Sequence, residues 1–187
     1  MDEPTLSVTS AKTWESWIAN HYADPQGIWL KIAKKHSSLP TVSHDEILDI
    51  ALCYGWIDGQ RKGFDDQFYL QKFTPRRPRS LWSKRNIEKV EGLIAAGKMQ
   101  PSGQAEIEKA KADGRWQAAY DSPKNMTIPA DFLKLINKNP PAKETFDKLS
   151  KTNLFAIGFR LATAKKPETR QRRMDAIITM LSQGTFK

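Results

Sequence analysis

Three arginines, Arg76, Arg77 and Arg79, are set around Pro75 and Pro78 in the run F-T-P-R-R-P-R-S-L-W-S-K-R-N that extends from Phe73 to Asn86. Proline fixes the backbone on either side of them, and the planar guanidinium fork matches the oxygens of a phosphate or carboxylate. Ser80 or Ser83 is placed to cap the helix that follows, and a helix N-terminus offers free N–H groups at the positive end of its dipole. Trp82 supplies a ring that can stack on a ligand, and Asn86, one turn into the helix, supplies an amide. Trp56 and Asp58 stand in the nearby G-W-I-D-G, and Lys62 adds a further cation. The candidate ligand-binding set is therefore Trp56, Asp58, Lys62, Arg76, Arg77, Arg79, Trp82, Ser83 and Asn86. A second reading of the same residues stays open: the arginines pair with Asp58, Asp65 or Asp66 and brace a hairpin against a helix.

Charge points to the same stretch. Between Gln60 and Val90 nine basic residues face three acidic ones, a net +6 within a chain whose formal charge is +9. Lys165–Arg173 adds five basic residues against Glu168. A surplus gathered in two blocks favours an anionic small molecule or a nucleic acid as partner, or else an acidic protein. Arg170 and Arg173 fall on one helical face, and Lys165 and Lys166 are placed to oppose the C-terminal dipole of the preceding helix.

Other chemistries find less support. Asp58, Asp65 and Asp66 have the types for acid–base work, and an enzyme acting on a small anionic substrate with Asp58 or Asp66 as base is the alternative to a binding protein. Aspartates in a hairpin, however, are commonly turn formers. His21, His36 and His44 lack metal-ligand spacing, and Gly55, Gly59 and Gly63 make no phosphate loop, so neither a metal nor a nucleotide cofactor is expected. Cys53 is the only cysteine; it lies at a helix C-terminal end, where a thiolate is not favoured, and reads as a packing residue. M-D-E-P-T-L-S-V-T-S lacks the basic and apolar regions of a signal peptide, and no run reaches membrane-spanning length, which implies a cytoplasmic protein without membrane insertion.

The elements that must hold these residues follow from periodicity. Residues 11–22 carry Trp14, Trp17 and Ile18 at helical spacing behind Ser10. Asp24–Gly27 is turn chemistry, and 28–33 reads as a strand. Ser43 and Glu46 form a capping box for a second helix that ends at Gly55. Residues 56–62 and 68–74 read as an antiparallel hairpin turning through Gly63-Phe64-Asp65-Asp66, with Pro75 ending its second strand. From Ser83 the pattern is helical, with starts at Pro101, Ala130, Pro140 (running to Ser150), a segment through Leu154 to Lys165, and Pro167. The fold class is α+β: a small antiparallel or mixed sheet with covering helices on one face, followed by a helical C-terminal part. Residues 1–120 form the α+β region with the basic hairpin-to-helix motif and 126–187 the helical region, with Asp121–Asn125 as linker.

Three strings, G-W-I-D-G (Gly55–Gly59), F-T-P-R-R-P-R-S-x-W-S-K-x-N (Phe73–Asn86) and T-A-K-K-P-E-T-R-Q-R-R (Thr163–Arg173), together resemble the YdeI/OmpD-associated family, also called bacteriocin-protection proteins. The resemblance runs from about Trp29 to Gly184. It implies a role in stress or in defence against antimicrobial peptides, and it attaches no catalytic residues. A chain of charge +9 is poorly suited to capture cationic peptides directly, so a non-enzymatic protein engaging an anionic ligand or nucleic acid is the reading carried forward.

Overall fold

A computed structural model describes residues 4–40 and 42–186. Among these the chain forms four strands and eight helices. They gather into two compact units, one of Met1–Trp82 with Asn86–Ala119, the other of Ser83–Arg85 with Tyr120–Lys187.

The first unit is built on a mixed four-stranded sheet in the order β1-β2-β4-β3. Strand β1 (Thr5–Ser7) runs parallel to β2 (Ile28–Ala33), while β2 with β4 (Phe68–Pro75) and β4 with β3 (Trp56–Gly63) are antiparallel. The three-residue β1 is not anticipated by the sequence, because so short an edge strand carries no alternation to detect. Gly27, at φ 67°, turns the chain into β2; a side chain there would be strained and would strike Thr74.

Helix α1 (Ala11–His21) starts as its sequence dictates, with Ser10 Oγ accepting from Thr13 N at 3.2 Å. Helix α2 (His44–Cys53) carries the full capping box: Glu46 N donates to Ser43 Oγ, and Ser43 N donates to the Glu46 carboxylate. The Ser43 hydroxyl also donates to that carboxylate at 2.7 Å, and this bond first, with the one from Ser43 N, holds the Glu46 carboxyl below its ordinary value. Gly55, at φ 81°, ends the helix and leads into β3. Helices α3 (Lys84–Ala95) and α4 (Pro101–Ala112) follow. Trp14 and Ile18 of α1, Ile47 and Leu48 of α2, Val90 of α3 and Ile107 of α4 share one cluster with Ile28, Leu30, Ile32 and Phe73. The helices thus cover the face on which 28, 30 and 32 point, as period-2 alternation requires.

Strand β3 is interrupted by a register shift between Asp58 and Arg61. The bulge takes the carbonyls of Gly59 and Gln60 out of the ladder. The buried Gln71 amide supplies the missing donors, at 3.0 and 3.2 Å.

The second unit holds α5 (Ala130–Asn137), α6 (Pro140–Asp147), α7 (Lys151–Ala162) and α8 (Pro167–Ser182) around Phe132, Ile136, Ile157, Leu161, Met174, Ile177 and Leu181. The helix read as running from Pro140 to Ser150 stops at Asp147, and Ser150 instead caps α7 by accepting from Asn153 N.

Candidate functional site

The arginine loop is the connection from β4 to α3, and its parts separate once folded. Arg76 is turned inward and only 6% exposed. Its guanidinium lies 3.6 Å from the centre of the Trp82 ring, and Nη1 donates to Leu81 O at 3.1 Å. Trp82 is buried between Arg76 and Trp116, whose ring centroid is 5.0 Å away. A desolvated cation over an indole is a favourable pairing. Arg77 and Arg79 are exposed. The bend carrying them is closed by Ser80, whose hydroxyl accepts from Arg77 N at 2.9 Å while its own N–H donates to Arg77 O at 2.8 Å.

A residue that sequence reasoning missed completes this loop. Arg115 is 5% exposed. It donates through Nε to both oxygens of Asp113, at 2.9 and 2.7 Å, and through Nη1 to Ser80 O at 3.0 Å. Two buried guanidiniums therefore fix consecutive carbonyls, Ser80 and Leu81, from inside the loop. D-G-R at a helix end is common surface chemistry, and nothing in its spacing separates this arginine from the chain's others. Beside the loop lies a recess of about 350 Å³ lined by Arg76, Pro78, Glu106, Lys109, Asp113 and Arg115. Its lining carries three cationic and two anionic side chains, with Lys109 Nζ 2.7 Å from Glu106.

The other sequence-predicted residues are placed differently. Trp56 is a core residue, fully buried with Nε1 donating to Tyr22 O at 2.7 Å and its ring edge-on to Trp14 and Trp17. It does not line a pocket, because the strand's inward position puts it under α1. Trp82 is likewise occupied on its faces and is not a free stacking surface. Ser83 and Asn86 are buried. The start of α3 is closed: Lys84 N donates to Tyr120 O at 2.9 Å, in a parallel bridge between Ser83 and Tyr120. The expectation that Arg76, Ser83 and Asn86 present themselves at an open helix N-terminus is corrected by their burial, at 6–8% exposure. Asp58 faces His44, at 3.5 Å from Nε2, rather than an arginine of the exposed loop. Asp65 serves the hairpin turn, its Oδ1 accepting from Gln67 N and Phe68 N at 2.8 and 2.7 Å. Lys62 lies on the sheet, its Nζ 4.2 Å from the Trp29 ring centre.

Cys53 is buried, and burial, with Asp49 and Glu15 nearby, pushes its thiol up to about 11. It stays protonated at neutral pH, as a packing residue does. Two arginines of the second basic block brace their own unit. Arg170 makes a two-pronged pair with Asp131, and Arg173 donates to Arg160 O and Thr163 Oγ1 at the end of α7. Among the described residues no group of three or more His, Cys, Asp or Glu side chains is placed to hold a metal ion, and no helix is long and apolar enough to cross a membrane.

The fold is α+β, with helices on one face of a mixed sheet and further helices in the second unit, and the candidate site is an arginine-braced loop beside a charged recess. Residues 6–106 match the family model described as Domain of unknown function (DUF8412), which spans more than half of the chain, and the chain belongs to that family. Residues 125–184 match the model described as Bacteriocin-protection, YdeI or OmpD-Associated. The Thr163–Arg173 string lies inside the second match, while G-W-I-D-G and the arginine loop lie inside the first. No curated protein and no solved structure matches the chain.

Proposed function

We propose that this chain is a non-enzymatic, cytoplasmic binding protein that takes a small phosphate- or carboxylate-bearing anion at the recess beside the arginine loop, in a stress or bacteriocin-protection role. The observation that carries the reading is Arg76: a buried guanidinium, fixed on Trp82 and by Leu81 O, lining a recess that also receives Arg115 and Lys109. Arg76 and Arg115 are buried and held by backbone carbonyls, and cations whose geometry is already set lose less on binding an anion. Exposed Arg77 and Arg79 add an attractive field at the rim. The basic, single-cysteine composition agrees with a cytoplasmic setting, and the likeness of residues 125–184 to the bacteriocin-protection model favours the protection role.

Calorimetric titration with inorganic pyrophosphate tests this directly. Saturable heat is expected, and Lys109→Met is expected to weaken binding about ten-fold, the worth of one charge-assisted contact. No heat at millimolar pyrophosphate, or unchanged affinity in Lys109→Met, refutes the site.

A further inference from the structure

The helices of the first unit cover only one face of the sheet. On the other face point Trp29, Lys31 and Ala33 of β2, Phe68, Leu70 and Lys72 of β4, and Lys62 of β3. The registers Trp29↔Lys72, Lys31↔Leu70, Ala33↔Phe68 and Lys62↔Leu70 set these side by side. Trp29, Ala33 and Leu70 are buried, yet they belong to neither core cluster. Lysine side chains lie over the first of these: Lys62 Nζ is 4.2 Å and Lys72 Nζ 5.5 Å from the Trp29 ring centre. Lys31 Nζ sits between two phenylalanines, 4.3 Å from the Phe64 centre and 4.2 Å from that of Phe68. Phe64, at the hairpin turn, is 53% exposed.

From these positions we infer that this face is a binding platform for single-stranded nucleic acid. Lys31 and Lys62 flank Leu70 in one row across three strands, so their backbones stand about 9.6 Å apart, two interstrand spacings. Flexible four-carbon stems let the two ammoniums reach neighbouring phosphates of one strand from that separation. Among the described residues no carboxylate forms an ion pair with Lys31 or Lys62; their ammoniums rest on aromatic rings, which leave the positive charge in place. Exposed Phe64 and half-buried Phe68 offer rings to bases beside the same lysines. Aromatic rings interleaved with cations on an open sheet are the arrangement that holds unpaired bases by stacking and the backbone by charge. An acidic protein would use the lysines but not the rings; a duplex hides its base faces. The platform is separate from the arginine-loop recess and does not depend on the pyrophosphate reading.

Fluorescence anisotropy with labelled oligo(dT) and oligo(rU) of roughly a dozen nucleotides, alongside a duplex of equal length, tests it. Phe64→Ala, a change at an exposed ring, is expected to weaken single-strand binding about ten-fold and leave duplex binding unchanged. The double variant Lys31→Met/Lys62→Met keeps an apolar stem at each position, beside Phe64 and Phe68 and over Trp29. It is expected to lower the slope of log affinity against log salt by about 1.4, two phosphate contacts' worth. Arg77→Met/Arg79→Met should bind the oligonucleotides within about two-fold of the unaltered chain, well under the effect of one lost stacking contact. The inference is overturned if no oligonucleotide binds at low salt, if Phe64→Ala and the lysine variant bind as the unaltered chain does, if duplex binds as tightly as single strands, if polyglutamate displaces the strand as well as unlabelled oligonucleotide does, or if the loop variant alone abolishes binding.

Discussion

Gly103 sits inside α4, where alanine is ordinarily the better residue, and Gly103→Ala is expected to destabilise the protein all the same. A Cβ built there stands 2.8 Å from the Cys53 carbonyl carbon and 3.0 Å from Leu52 O, and closer still to Cys53 O. Cys53 O also accepts from Gln100 N at 3.1 Å, so the C-terminal end of α2 and the start of α4 are locked backbone to backbone. No flexible side-chain tip is available to swing aside. Helix propensity favours alanine by about 1 kcal/mol. Forcing a methyl into a close-packed backbone contact costs about 3 kcal/mol. The net expectation is a loss of about 2 kcal/mol, which at a urea slope of about 2 kcal/mol per molar lowers the unfolding midpoint by about 1 M. Gly92, in α3 and exposed with nothing within 4 Å of its Cβ position, is the control. Gly92→Ala should raise stability by about 0.5–1 kcal/mol. Urea titrations followed by circular dichroism read both variants. If Gly103→Ala equals or exceeds the unaltered chain while Gly92→Ala behaves as expected, the packing argument is wrong. Because α4 also carries Glu106 and Lys109, the same variant should disturb the recess.

Cys53 is expected to resist iodoacetamide at mildly alkaline pH in the folded protein and to react readily in denaturant, since its thiol is pushed up to about 11; mass spectrometry of the intact chain distinguishes the two. Asp131 is held below the ordinary aspartate range, first by the hydrogen bonds from Arg170. Its pairing with Arg170 therefore stabilises the second unit fully above the unfolded aspartate pKa and is lost as pH falls through the depressed folded value. Asp131→Asn should be less stable than the unaltered chain at neutral pH, with the gap closing only in strong acid; a constant gap across an acid titration would contradict this. Arg115→Met should lower stability by about 2 kcal/mol, less than for a wholly buried pair because Asp113 is half in water. It should also release the Ser80 carbonyl, seen as faster amide exchange across the loop.

Local rules account for what could be read without coordinates. The Ser43–Glu46 box, Gly55 at positive φ, the Asp65 turn and the proline starts of α4, α6 and α8 are all contacts within a few residues, so the chain writes them directly. The hairpin and the helical second half follow from periods of 2 and 3.6 for the same reason. Asn139 and Ser150 are cap residues of the kind such rules describe, and the end of α6 at Asp147 follows from Ser150 belonging to the next helix.

The sequence by itself determined where the charge lies, that the chain makes an α+β fold, and which residues begin and end most of its helices. Tertiary structure alone decided that Arg76 turns inward onto Trp82 while Arg77 and Arg79 stay in water, although all three have the same side chain and neighbouring prolines. It decided as well that Arg115, thirty-odd residues away, would brace the same loop, and that Lys31, Lys62 and Trp29 would meet on one sheet face. The physical reason is that burial and partner choice depend on which segments are brought together. A strand register or a helix crossing sets those distances, and neither is encoded in the spacing of the residues it joins.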